Sequence, residues 1–228
     1  MSSNNQFVTV PETVLPGGLV VPKFEIGQYV TGKDSSGNLA INGDAAPWVR
    51  INYRDANNAA EAAGYKLVRE SQYLALAYQI ATQDENWTGG KVGSGKLFQG
   101  LRKGSVSSAQ PGTYIPSDPD ERTWFLLPTG EKIFHVSGNV WEWSFDDIQG
   151  NDKGLIAKRF TDNSPSIVIP YPNEEKGQGW TPAAGRDWSG DALLRGGCWC
   201  SVSNAGAFVL VDVWPGGVYG SVGFRCTN

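Results

Sequence analysis

Histidine is almost missing from this chain. His135 is the one imidazole in 228 residues, which excludes metal sites needing two or three imidazoles, such as non-haem iron triads and zinc hydrolase centres. A Ser-His-Asp arrangement would have to use it, and no Gly-x-Ser-x-Gly elbow is present. Flanked by Ile133, Phe134 and Val136, His135 reads as a satisfied core histidine. Cysteine is scarce as well. The three thiols all follow position 197, so at most one bridge can close and no disulfide framework exists. If residues 198–200 are a strand, Cys198 and Cys200 point to opposite faces, which predicts free thiols and leaves the redox compartment open.

Basic clusters are also lacking. No Lys/Arg group exceeds a pair such as Arg102-Lys103 or Lys158-Arg159, and the net charge is −4. A nucleic-acid footprint needs a basic face, so that partner class is excluded. No stretch approaches the ~20 apolar residues of a membrane span. The start, Met1-Ser2-Ser3-Asn4-Asn5-Gln6, has neither the basic residues nor the apolar run of a secretory signal. The expected location is the cytoplasm, or a phage particle reached without a signal.

What is abundant is glycine, at 29 residues, and proline, at 13, with few helix-period stretches between them. Much of the backbone is therefore turn and loop. Nine Trp, eight Tyr and nine Phe supply the buried area that holds such a fold together. The length suits one large domain. Residues 1–21, broken by Pro11, Pro16 and Gly17, predict an extended arm that leads into a domain over 22–228, whose first strand spans 23–31. Lys33-Asp34-Ser35-Ser36-Gly37-Asn38 predicts a turn. Asn52, Asp55, an Ala-rich run and Gly64 predict a helix over 53–64. Tyr73, Leu74, Ala77, Tyr78 and Ala81 make the stripe of a second helix over 70–81. Beyond residue 85 the pattern is short strands and loops. Gly89, Gly90, Gly93 and Gly95 lack phosphate-loop spacing and read as a loop. Asp146-Asp147 and Asp118-Pro119-Asp120-Glu121 read as solvated turns.

Residues 194–226 have a firm frame and a loose middle. Arg195-Gly196-Gly197-x-Trp199 opens the segment and Val222-Gly223-Phe224-Arg225-Cys226 closes it. Between them, Ser201-Val202-Ser203 and residues 211–221 fit neither a helix period nor strand alternation. Two readings fit: a binding surface on a scaffold, or a Gly-rich loop closing the domain.

Pro47-Trp48-Val49-Arg50-Ile51-Asn52-Tyr53-Arg54-Asp55-Ala56, Leu67-Val68-Arg69-Glu70-Ser71-Gln72-Tyr73, Gly138-Asn139-Val140-Trp141-Glu142-Trp143, Arg195-Gly196-Gly197 and Gly223-Phe224-Arg225 occur in this order. Together they resemble the formylglycine-generating enzyme (sulfatase-modifying factor) family across roughly residues 22–228. The resemblance implies an α+β, C-type-lectin-like fold with two helices, short strands and long loops. It does not carry the chemistry. The family's copper-binding cysteines stand four and nine positions after the Gly-Gly, where this chain has Ser201 and Gly206. The relatives that hold iron with three histidines are excluded by the histidine count. The family's calcium loop makes Glu142, with the carbonyls of Gly138 and Val140, a candidate site, but His135 stands where the family has an oxygen-donating Asn. No cofactor is expected, calcium being the one candidate.

The chain resembles more closely the variable proteins of diversity-generating retroelements, which use this fold as a non-catalytic display scaffold. In that family template adenines are randomised, and Asn codons of the form AAC yield Ser, Cys, Gly, Val, Asp and Tyr. Cys198, Cys200, Ser201, Val211, Asp212, Val213, Gly216, Gly217, Val218, Tyr219, Gly220 and Ser221 belong to that set, and Trp214 does not. Ala205-Gly206-x-Phe208-x-Leu210 matches the family's fixed element. The ligand-binding residues this implies are Cys198, Cys200, Ser201, Val211, Asp212, Val213, Trp214, Gly216, Gly217, Tyr219 and Ser221, with Trp214 and Tyr219 as anchors. Trp141, Trp143, Trp199, Phe208, Leu210 and Phe224 are the expected core. The implied partner is a protein or other surface macromolecule. A copper-dependent oxidase and a structural phage-tail or assembly module are the alternatives.

Overall fold

The computed structural model describes residues 5–171 and 174–228. Two helices flank two four-stranded sheets. Helix α1, Tyr53–Ala62, starts where the Asn52 side chain accepts a hydrogen bond from Asp55 N at 2.9 Å. It ends before Gly64, whose φ of 83° takes the chain out of the helix. Helix α2, Glu70–Ala81, coincides with the predicted span, and its stripe residues Tyr73, Leu74, Ala77 and Ala81 are buried while Tyr78 is half-buried. The turn at 34–38 also forms as predicted: Asp34 Oδ1 accepts from Ser36 N and Asn38 N at 2.9 Å each.

The first sheet runs Phe7–Val10, Phe24–Gly27, Cys226–Thr227, Lys66–Leu67, with all neighbours antiparallel. The extended segment before Pro22 thus pairs into the same sheet as the chain's last residues. Val8 and Val10 are buried with α2 in one core cluster, so the expected boundary at residue 22 runs through a shared sheet. The strand expected over 23–31 covers only Phe24–Gly27.

The second sheet runs Gly206–Val213, Ala192–Gly196, Trp141–Ser144, Val222–Phe224. Its last pair is parallel, Trp141 opposite Val222 and Trp143 opposite Phe224. Three of its four strands therefore come from the closing segment, which is woven into the core. Trp143 packs edge-on against Tyr53 of α1 at 5.9 Å between centroids, and its Nε1 donates to Ile51 O at 3.0 Å. No helix among the described residues is long and apolar enough to cross a membrane.

Several expectations change. Asp146 is fully buried, its Oδ1 accepting from Ile148 N and Gln149 N at 3.0 Å each. Burial, more than the nearby Glu70, raises its carboxyl to about 6. Asp147 caps α2 through Ser71 N and Ser71 Oγ. Glu121 is also buried, accepting from Arg102 N and Ser105 Oγ at 2.6 Å each. Pattern reading took these acids for solvated turns because each lies in a Pro- or Gly-punctuated stretch. Asp146 satisfies backbone donors of its own stretch, whereas Asp147 and Glu121 satisfy donors of distant segments, at Ser71 and at residues 102–105.

Candidate functional site: a framed loop surface

The two arginines that frame the closing segment are both fully buried. Arg195 donates through Nε to Glu70 Oε2 at 3.1 Å and through Nη2 to Glu70 Oε1. Its remaining N–H groups reach Phe208 O at 2.8 Å and Ser166 O at 3.1 Å. Arg225 does the same on the other side. It holds Glu142 with Nε at 3.0 Å and Nη2 at 2.8 Å, and donates to Gly27 O and Phe134 O at 2.7 and 2.8 Å. Planar, bidentate guanidinium pairing with every nitrogen hydrogen-bonded is the arrangement that tolerates burial of charge. The frame is thereby fixed to α2 and to the Trp141–Ser144 strand.

Glu142, the calcium candidate, is accordingly committed. Both of its oxygens face Arg225, and a cation there would displace the guanidinium. Burial raises its carboxyl above the ordinary value, and Arg225 pulls it back down. No group of three His, Cys, Asp or Glu that could hold a metal occurs among the described residues. His135 is buried as predicted, its Nε2 3.3 Å from Pro111 O, and burial lowers its pKa to about 4.

Between the frame residues the segment divides along its length. Ala205, Gly206, Ala207, Phe208, Val209 and Leu210 are buried. A side chain at Gly206 would run into Gln178 C and Gly179 N at 2.1 and 2.2 Å, both backbone atoms, so only glycine fits there. Past Leu210 the same strand climbs out: Val211, Asp212 and Val213 are half-buried, the two valines packing against the cluster of α1 and Trp143. Burial and the neighbouring Asp191 raise the Asp212 carboxyl. Trp214 is 67% exposed, Val218 53% and Tyr219 44%.

The loop carrying these aromatics is tied down from below. Tyr53 N donates to Pro215 O at 3.1 Å, Arg50 N to Tyr219 O at 2.9 Å, and Trp141 N to Ser221 O at 2.8 Å. The rings also depend on the glycines. A side chain at Gly216 would meet the Trp214 ring at 2.5 Å, and one at Gly217 the Tyr219 ring at 2.3 Å. Two clefts border this loop and a third borders the 200–204 turn. One of about 580 Å³ joins Trp214 to Tyr53, Asn52 and Phe145. A second, about 490 Å³, joins Trp199, Cys200 and Ser221 to Arg50 and Ser108. The third, about 290 Å³, lies between Trp141, Trp180, Cys200 and Val211.

Eleven residues were predicted for this surface, and the structure brings most of them to it. Cys200 and Ser201 lie in the turn after Ala192–Gly196, Ser221 beside Cys200, and Trp214, Gly216 and Tyr219 in the neighbouring loop. Two are misplaced. Cys198 is only 4% exposed and Gly217 is buried under the Tyr219 ring. Two expected core residues move the other way: Trp141 and Trp199 are half-buried and wall the clefts. Trp143, Phe208, Leu210 and Phe224 are core as predicted. Sequence reasoning missed Arg50, Asn52, Tyr53 and Trp180 as cleft walls, and exposed Val202 and Val218 were outside the predicted set. The positive φ of Arg50, 58°, carries no sequence signal.

This architecture can be set beside solved structures. It shares the fold of PvdO from Pseudomonas aeruginosa. The two chains are 15% identical, the match covers 100% of this chain and 95% of that one, and the TM-score is 0.51. The α+β, C-type-lectin-like fold of the formylglycine-generating-enzyme type, implied by the sequence motifs, is the fold observed. Treponema denticola variable protein 1 aligns at 14% identity over 100% of this chain and 92% of its own, with a TM-score of 0.47. The Major Tropism Determinant M1 variant aligns at 16% identity with a TM-score of 0.48; 95% of this chain matches, spanning about half of that one, 51%. No protein-family model matches the chain, and no curated protein sequence does.

Proposed function

We propose that this chain is a non-catalytic ligand-display protein of a diversity-generating retroelement, binding a surface macromolecule of a cell or phage target through residues 198–221. One observation carries the reading: most of the closing segment sorts by burial as its codon set demands, the exceptions being Trp214, outside the set and 67% exposed, and Cys198 and Gly217, inside it and buried. Residues outside the adenine-derived set, Arg195, Phe208, Leu210, Phe224 and Arg225, are fully buried or nearly so. Cys200, Val218 and Tyr219, from within the set, are exposed, and Ser201, Val211, Asp212, Val213, Gly216, Gly220 and Ser221 are half-exposed. A surface that varies must leave the core untouched, and the frame pairs meet that need. Trp214, at the wall of a cleft, and the exposed Tyr219 supply rigid aromatic area, the usual make-up of an interface anchor. The net charge of −4 favours a protein or glycan partner over nucleic acid.

The test is the DNA beside the gene. The reading requires a reverse-transcriptase gene and a near-copy of the 194–226 coding segment that differs only at adenines. A locus without either, or differences falling on the codons of Phe208 and Phe224, would remove its basis.

A further inference from the structure

Cys198 and Cys200 do not lie on opposite faces of a strand. The strand stops at Gly196, Gly196 and Gly197 both take φ of 89°, and the thiols sit in a turn with their Sγ atoms 3.0 Å apart. The turn is held from both sides. Trp199 N donates to Asn139 O at 3.2 Å, Gly104 N to Trp199 O at 2.8 Å, Ser201 N to Cys198 O at 3.0 Å and Val202 N to Arg102 O at 3.0 Å. Ser201 Oγ accepts from Cys198 N at 2.9 Å and lies 3.3 Å from Cys198 Sγ. Cys198 is buried, while Cys200 is exposed and borders two clefts. The third cysteine, Cys226, is buried, and its sulfur accepts from Thr31 Oγ1 at 3.4 Å.

We propose that Cys198 and Cys200 are a modification site: a dithiol that closes to an intrachain disulfide by exchange with a low-molecular-weight disulfide such as oxidised glutathione. Cys200, as thiolate, attacks one sulfur of the oxidant, whose S–S bond breaks, and the first glutathione leaves as a thiolate that takes up the proton. Cys198 then loses its proton and attacks Cys200 Sγ, and the second glutathione leaves. The dithiol gives up two hydrogen atoms and the oxidant becomes two thiols. The sulfurs must approach from 3.0 Å to the roughly 2.05 Å of a disulfide, within reach of side-chain rotation. The exposed thiol meets the oxidant and the buried neighbour resolves the mixed disulfide. The Cys198 sulfur, then burial, push the Cys200 thiol up to about 11, so its attack is slow at neutral pH and accelerates about tenfold per pH unit below that value. This chemistry stands independently of what the surface binds.

The experiment treats the full-length reduced protein with oxidised glutathione at several pH values, quenches with acid, and digests with trypsin for mass spectrometry. Cleavage after Arg195 and Arg225 yields a peptide that contains Cys198 and Cys200 and leaves out Cys226. The expected product is that peptide short of two hydrogens, formed faster as pH rises. Cys198→Ser should instead accumulate glutathione on Cys200, and Cys200→Ser, at an exposed position, should leave the peptide unmodified with melting unchanged. A wild-type peptide that retains glutathione on Cys200, or stays unmodified at pH 9 under conditions that oxidise a small dithiol, would overturn the proposal.

Discussion

Breaking the Arg195–Glu70 pair should destabilise the protein far more than changing anything on the loop surface. Both side chains are fully buried, and the guanidinium also serves the carbonyls of Phe208 and Ser166. Glu70→Leu leaves a buried cation without its counterion, a change that costs about 3–5 kcal/mol. Arg195→Met strands the Glu70 carboxylate and removes a donor from each carbonyl, with a penalty of about the same size. In a domain of this length the two single variants should each melt about 6–20 °C below wild type. The double variant Glu70→Leu/Arg195→Met no longer buries a lone charge, so its cost should fall short of the sum of the singles by more than about 1 kcal/mol. It should stay above zero because the two carbonyls remain without the arginine. Urea denaturation of the four proteins reads the cycle. Additive costs, or either single variant within about 1 kcal/mol of wild type, would show that the frame does not rest on this pair.

Three further outcomes follow from the site. His135 titrates near 4 when folded and near 6.5 when unfolded, so between those values the unfolded chain alone takes the proton and stability falls as pH drops. Its share is about 3 kcal/mol; Asp146, raised to about 6, works in the opposite sense, so the comparison must be with His135→Asn, which suits the φ of 56°. Wild type should lose roughly that amount relative to the variant between pH 6.5 and 4, and parallel profiles would refute the assignment. Because both Glu142 oxygens bind Arg225, neither calcium nor a chelator should move the melting temperature. A marked rise with millimolar calcium would place a cation in the loop after all. Incubation with copper and a Cys-x-Pro-x-Arg peptide should leave the peptide thiol intact, and its oxidation would revive the enzyme reading.

The fold was legible where its signals are local. Spacing placed α2, a cap and a glycine stop placed α1, and Asp34 with Gly37 placed the turn between strands Gly32–Lys33 and Leu39–Ala40. The frame arginines were visible as motifs, but their partners were not: Arg195 reaches Glu70 across 125 positions and Arg225 reaches Glu142 across 83. No sequence period links residues that far apart. Depth along one face was the other gap. Trp141 and Trp143 lie on the same face of their strand and pack against the same cluster, yet the first is half-buried at a cleft wall and the second fills the core. The cysteines are free as expected, but they do not take opposite faces, since the left-handed Gly196-Gly197 step ends the strand before Cys198.

The display reading requires that the exposed and half-buried residues of 198–221, outside the buried stretch 205–210, can change without disturbing the fold beneath. Thermal and urea melts of single alanine variants test it most directly. Trp214→Ala, Val218→Ala and Tyr219→Ala, at exposed positions, should each fall within about ±0.5 kcal/mol of wild type. Trp143→Ala and Phe224→Ala, both fully buried, should cost about 3–5 kcal/mol. If Trp214→Ala and Tyr219→Ala unfold the protein as readily as Phe224→Ala does, the loop is part of the core and the display account is wrong.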